Sequence, residues 1–93
     1  MFQRVLKQVR DKVRNRQYGM TLHAEEEMSD DELTIFDIER GILTGEIVER
    51  QKDAQTGEWK YLAKGHTVTS EDIVVVDKIS FTGKSIIVTV YHL

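Results

Sequence analysis

The last third of the chain contains the sequence Asp72-Ile-Val-Val-Val-Asp-Lys-Ile-Ser-Phe-Thr-Gly-Lys-Ser-Ile-Ile-Val-Thr-Val-Tyr91. Two runs within it, Ile73–Ile79 and Ile86–Tyr91, are rich in β-branched residues, which suit the pleated surface of a strand. Gly83 lies between the runs and can adopt the positive φ that a tight connection requires. The stretch therefore predicts a β-hairpin. Because parts of both runs are continuously apolar, we expect both strand faces to be at least partly covered, as in the middle of a sheet.

Two further strands are predicted upstream of this hairpin. The first begins at Ile47, and the second has the alternating side chains of a half-buried strand from Trp59 to Ala63. Gly57 lies in the turn between them and is the natural residue there for a positive φ. Residues 46–93 are therefore predicted to form a four-stranded antiparallel sheet.

Residues 1–19 are predicted to form a basic amphipathic helix. Apolar residues recur there at the spacing of one helix face, and most of the basic residues lie on the other face; the apolar set is Phe2, Val5, Leu6, Val9 and Val13. We expect the helix to end at Tyr18-Gly19, with Gly19 as a left-handed C-terminal cap.

Residues 20–45 are predicted to form two shorter helices. Thr21 has the side chain of an N-cap, and the acidic residues that follow it suit a helix N-terminus. The next helix opens near Thr34 and ends at Gly45. Gly41 within that helix costs about 1 kcal/mol relative to alanine, which indicates close packing against a neighbouring element.

Together these elements predict a single domain, residues 1–93, of the α+β class, with N-terminal helices packed on a four-stranded antiparallel, curved sheet. The chain has no cysteine, which excludes disulfides, thiolate catalysis and cysteine-ligated zinc. No apolar run approaches the roughly 20 residues of a membrane span. We therefore expect a cytoplasmic protein with no cofactor and no membrane partner.

Charge is distributed unevenly along a chain whose net charge is −3. Residues 1–22 contain six basic residues and one acidic residue, whereas residues 23–49 contain ten acidic residues and one basic residue. Such asymmetry suits pairing within the fold or between subunits, as in a homodimer. Only the first helix has the local positive charge that attracts nucleic-acid phosphates, so Arg10 and Arg14 are candidate RNA contacts, with a solvated helix face as the alternative.

Three residues carry side chains suited to acid–base chemistry. His23 lies near the start of a helix, His66 ends a strand close to Lys64, and Tyr91 lies at the close of the last strand. The structural alternatives are a buried, hydrogen-bonded His23 and a core aromatic Tyr91. His23 and Glu27, at i and i+4, form only half of a metal site, so no metal is expected.

Three stretches resemble the uncharacterised prokaryotic family known as domain of unknown function 4258. They are His23-Ala-Glu-Glu-Glu-Met28, Phe36-Asp-Ile-Glu-Arg-Gly-Ile-Leu-Thr-Gly-Glu-Ile-Val48 and Ile86-Ile-Val-Thr-Val-Tyr91, and the likeness extends over roughly residues 21–92. The chain differs from the family pattern at Glu27 and Asp31, where the resemblance leads us to expect arginine.

The resemblance implies a fold similar to RelE-type and BrnT-type toxins, many of which are metal-independent endoribonucleases of toxin–antitoxin pairs. It implies RNA as substrate and an antitoxin protein as partner. In that setting His23 acts as acid or base, Lys64 and His66 bind phosphate, and Tyr91 assists. Two alternatives stay open: a non-catalytic protein-interaction module of the same fold, and nucleic-acid binding without cleavage through the first helix.

Overall fold

A computed structural model describes residues 2–93 of the chain. In chain order its elements are α1 (Gln3–Arg14), β1 (Tyr18–Met20), α2 (Leu22–Asp30), α3 (Ile35–Thr44), β2 (Glu46–Lys52), β3 (Trp59–His66), β4 (Asp72–Ile79) and β5 (Ser85–His92). Across these residues the fold is α+β, as predicted, with three helices and one five-stranded mixed sheet.

The predicted hairpin is formed by β4 and β5. The two strands pair antiparallel from Ile73 opposite His92 to Ile79 opposite Ser85, and Gly83 in the turn has a φ of 84°. The strand order is β1-β5-β4-β3-β2, so β4 is the central strand. The predicted position of the hairpin in the middle of the sheet is confirmed. Both faces of β4 are buried, since Val74 and Val76 on the face without helices are covered as well as Ile73 and Val75 on the other.

The prediction of four antiparallel strands is wrong in one respect, because a fifth strand is present. Residues Tyr18–Met20 form β1, which pairs in parallel with the first three residues of β5. The helix predicted to reach Gly19 ends at Arg14, and the left-handed residue after it is Arg16, with a φ of 54°. A three-residue strand with a central glycine has no periodicity of its own, so only its pairing with distant β5 makes it a strand.

All three helices pack against the same face of the sheet. Their apolar side chains meet those of β4 and β5 in one core cluster, made of Val9, Val13, Ala24, Leu33, Ile38, Ile42, Ile73, Val75, Ile87 and Val90. Thr21 caps α2 as predicted, and Thr34 with Asp37 forms a capping box at α3. Within residues 2–93 no helix covers the opposite face, which we call the open face.

Side chains on the open face are identified by strand register, because cross-strand partners point to the same side of a sheet. One row across the sheet runs from Glu46 through Lys64 and Val74 to Tyr91. His66 opposite Asp72 forms the row beyond it. These two rows therefore place one set of titratable groups at this end of the open face, and Lys60 opposite Lys78 lies towards the other end.

Two glycines allow α3 to lie directly on the sheet. A Cβ at Gly41 would lie 2.7 Å from Cγ2 of Ile73, which confirms the close packing predicted for this residue. A Cβ at Gly65 would overlap the carbonyl oxygen of Gly41 and lie 2.9 Å from Cα of Gly45. The end of α3 is thus pressed against β3 between Lys64 and His66.

Asp77 is a buried carboxyl on the helix-covered face of β4. One of its oxygens accepts a hydrogen bond of 2.6 Å from the hydroxyl of Ser85. The other oxygen, Oδ1, has no hydrogen-bond partner among the residues that the structure describes. Burial raises the pKa of Asp77 to about 6, and the hydrogen bond from Ser85 only partly opposes this shift.

The free energy of unfolding is therefore expected to fall as the pH rises through the folded-state pKa of Asp77, about 6. An unfolded aspartate has a pKa of about 3.9, so this stabilisation is complete below about pH 4 and absent well above pH 6. A shift of about two units corresponds to roughly 3 kcal/mol. Urea denaturation of the wild type and Asp77→Asn, across this pH range, measures the effect. Parallel pH profiles for the two proteins would show that Asp77 does not titrate there.

Candidate functional site

His66 ends β3 on the open face and is held through both its backbone and its side chain. Its backbone N–H donates to Oγ1 of Thr44 at 3.0 Å, which ties it to the end of α3. Its imidazole Nδ1 lies 3.2 Å from Oδ1 of Asp72, its cross-strand partner. When Nδ1–H is donated to that carboxylate, Nε2 carries the lone pair that can accept a proton. The side chain is 55% exposed, so a substrate can reach it.

Lys64 and His66 line one cavity of about 300 Å³, which we call the His66 pocket. Lys64 is exposed and two residues from His66 on the same strand, so both side chains lie on one face. The walls also include two carboxylates, Glu46 and Asp72. The pocket therefore combines an ammonium group, an imidazole and two carboxylates.

Tyr91 lies at the same end of the open face as the His66 pocket but does not line it. Val74 separates it from Lys64 in the same cross-strand row. Two strand spacings place the Cα atoms of Tyr91 and Lys64 about 10 Å apart. Tyr91 as a whole residue is 36% exposed. It is thus placed to contact a substrate that extends beyond the pocket across the sheet.

His23 lies apart from this cluster, on α2. Its Nε2 is 3.2 Å from Oε1 of Glu27, and its side chain is 68% exposed. Because α2 packs over β5 on the helix-covered face, the structure does not bring His23 into the His66 pocket. The predicted set is thus divided, with Lys64 and His66 together, Tyr91 beside them and His23 elsewhere.

Glu27 has a structural position at the edge of β5. β1 pairs only as far as Ile87, so no strand of the described residues 2–93 pairs with the β5 edge beyond that point. The backbone N–H of Val90 donates to Oε1 of Glu27 at 3.3 Å. A carboxylate can accept this hydrogen bond, whereas arginine has only donors. The glutamate that stands where the resemblance predicts arginine therefore covers a free strand edge.

Arg10 and Arg14 lie outside the His66 pocket, in a groove of about 720 Å³ along α1. The guanidinium of Arg10 donates to the carbonyl oxygens of Gly45 at 2.6 Å and Ile42 at 3.4 Å. It thereby satisfies carbonyls that the end of α3 leaves without a helical partner. Arg14 lies 3.4 Å from Asp11, in an exposed pair that contributes little stability.

Lys78 shares the open face but is already neutralised. Its ammonium lies 3.1 Å from Glu58 and 3.2 Å from Asp53. Hydrogen bonds to these two carboxylates raise the pKa of Lys78, and the hydrogen bond to Glu58 has the largest effect. Within residues 2–93 no carboxylate lies within ion-pair distance of Lys64, so Lys64 is a better phosphate ligand than Lys78.

Sequence reasoning missed two residues that hold His66. The position of Asp72 could have been predicted from the sequence. Residues 67–71 form a short connection between two strands, so His66 and Asp72 on either side of it form the first pair of a hairpin. The position of Thr44 could not, because its hydrogen bond to His66 joins residues 22 positions apart.

Among the described residues there is neither a metal-binding cluster nor a helix that could span a membrane. Residues 2–93 contain no group of three or more His, Cys, Asp or Glu side chains placed to hold a metal ion. None of the helices described combines the length and apolar character needed to cross a bilayer.

Comparison with known proteins shows a family for most of the chain. No curated protein and no solved structure matches it. The family model described as Domain of unknown function (DUF4258) matches residues 20–92, which include the His66 pocket and leave α1 outside the matched span. The chain therefore belongs to the family of domain of unknown function DUF4258.

Proposed function

We propose that the protein is a metal-independent endoribonuclease of a toxin–antitoxin system and that the His66 pocket is its active site. The observation that supports this most directly is the His66–Asp72 pair beside Lys64 on an exposed sheet face. An oriented imidazole next to an ammonium group can move a proton at a phosphate and stabilise the charge that develops there.

The proposed reaction is cleavage of RNA by its own 2′-hydroxyl. Nε2 of His66 accepts the 2′-hydroxyl proton while the 2′-oxygen attacks the adjacent phosphorus. The bond from phosphorus to the 5′-oxygen breaks, and that oxygen takes up a proton with the assistance of the Tyr91 phenol. Lys64 stabilises the negative charge on the phosphoryl oxygens, and Asp72 orients the imidazole. The products are a 2′,3′-cyclic phosphate and a 5′-hydroxyl.

A RelE-like architecture is part of this proposal. It is supported by helices that pack on one sheet face only and by the titratable groups gathered on the other. In this setting the partner is an antitoxin protein that covers the open face and blocks access to His66.

The second candidate function is a non-catalytic protein-interaction module, and one observation favours it. Glu46 and Asp72 line the pocket, and both carboxylates oppose the approach of a phosphate. The exposed acidic residues of α2 and the basic groove of α1 would instead allow two copies to pair as a homodimer.

Incubation of the purified protein with unstructured single-stranded RNA in EDTA separates the two functions. The nuclease proposal predicts fragments from RNA and none from DNA of the same sequence, because DNA lacks the attacking hydroxyl. RNA that stays intact after prolonged incubation at neutral pH would contradict the proposal that the protein is a nuclease. A concentration-dependent dimer in sedimentation experiments would then favour the interaction module.

A further inference from the structure

The groove along α1 adjoins the His66 pocket. Glu46, at the start of β2, lines both cavities, so they meet at the turn between α3 and β2. The groove has a volume of about 720 Å³ and is lined on one side by basic residues of α1, which are Arg4, Lys7, Arg10 and Arg14. A chain bound in the pocket could therefore continue directly into the groove.

Three of the four basic side chains in the groove are available to a ligand, although one of them has an exposed ion-pair partner. Arg10 is committed to the carbonyl oxygens of α3. Arg14 pairs with Asp11, and both side chains are exposed. Within residues 2–93 no carboxylate lies within ion-pair distance of Arg4 or Lys7. In a protein with a net charge of −3, these three side chains form a local positive field that attracts anions.

The arrangement of these cations fits an extended polyanion. From Arg4 to Arg14 the helix rises about 15 Å, since each residue adds about 1.5 Å. A stacked nucleic-acid strand has one phosphate per 3.4 Å or so, and three cations over this length can each meet a separate phosphate. Among the described residues that line the groove, Leu6 is aliphatic and the other six are polar or charged.

We propose that the α1 groove binds the phosphate backbone of the RNA strand that flanks the cleaved bond. This inference rests on the proposed function, because it takes the His66 pocket as the place where the strand is cut. Glu46 repels phosphate at the junction, so the strand crosses this point with a base or ribose against the carboxylate. The basic helix outside the matched family span thus extends the substrate site to a longer single strand.

The test measures binding of a labelled single-stranded RNA with 2′-methoxy groups, which cannot be cleaved, at a series of salt concentrations. The variant R4Q/K7Q/R14Q removes the three basic side chains of the groove other than Arg10. The slope of log affinity against log salt is expected to become shallower by about 2, because each phosphate contact on a single strand contributes about 0.7. Fluorescence anisotropy gives both the affinity and the slope.

The matched control is R16Q/R40Q/K84Q, which makes the same change in net charge at exposed positions outside the groove. Its slope is expected to equal that of the wild type. Equal slopes for the groove variant and this control would overturn the inference, as would tighter binding of poly-glutamate than of the RNA. Because the probe cannot be cleaved, the result is independent of catalysis. A shallower slope without nuclease activity would support the groove and remove the catalytic proposal.

Discussion

Replacing Gly65 with alanine is expected to destabilise the protein by about 3 kcal/mol or more, at the upper end of overpacking effects. The added Cβ would overlap the carbonyl oxygen of Gly41 and lie 2.9 Å from Cα of Gly45. Both are backbone atoms, so no side-chain rotation can relieve the overlap. The end of α3 would have to move away from β3. Small domains are stable by about 5–15 kcal/mol, so this loss is a large share of the total.

Urea denaturation of Gly65→Ala beside Gly19→Ala measures this effect. At Gly19 the nearest heavy atom to an added Cβ is Cγ1 of Ile86 at 4.0 Å, an ordinary contact. The control substitution is therefore expected to change the free energy of unfolding by less than about 1 kcal/mol. Wild-type stability in Gly65→Ala would contradict the direct contact between α3 and β3.

The β4–β5 hairpin was predictable because the physical causes of its strands are local. Branched side chains favour extended backbone, and glycine permits the left-handed turn at Gly83. The caps at Thr21 and Thr34 are also local, since each hydroxyl accepts from an N–H three residues ahead. β1 could not be predicted in this way. Its three residues are extended because distant β5 offers them a parallel partner.

The candidate site was only partly predictable for the same reason. Lys64 lies at the end of a predicted strand, but His66 falls in the connection predicted to follow it. The two side chains share a face only because β3 continues as far as His66, which makes the strand period apply to both. His23 is far from them because α2 covers the other face of the sheet, which periodicity does not reveal. The role of Glu27 depends on where β1 stops along β5, a property of the assembled sheet.

RNA cleavage by His66→Ala is expected to be slower than that by the wild type by a factor of about 10² to 10⁴, the usual contribution of a general base. Asp72→Asn is expected to cause a smaller loss, because Asp72 orients the imidazole through an exposed contact of 3.2 Å. The rates are compared as kcat/KM on one RNA substrate. Unchanged unfolding curves would show that lost activity does not reflect lost folding.

His23→Ala distinguishes the role predicted from the sequence from the role proposed from the structure. His23 is more exposed than His66 and is likewise beside a carboxylate, so the two substitutions remove similar side chains. We expect His23→Ala to keep kcat/KM within a few-fold of the wild type. If activity were instead lost in His23→Ala and kept in His66→Ala, His23 and not His66 would be the acid–base residue.

Analysis of the RNA ends produced by the wild type and by His66→Ala tests the assignment of the His66 pocket most directly. If the pocket moves a proton from the 2′-hydroxyl, the wild type in EDTA yields fragments with 2′,3′-cyclic phosphate and 5′-hydroxyl ends, and His66→Ala yields almost none. Fragments of the same kind and amount from both proteins would place the chemistry outside the His66 pocket.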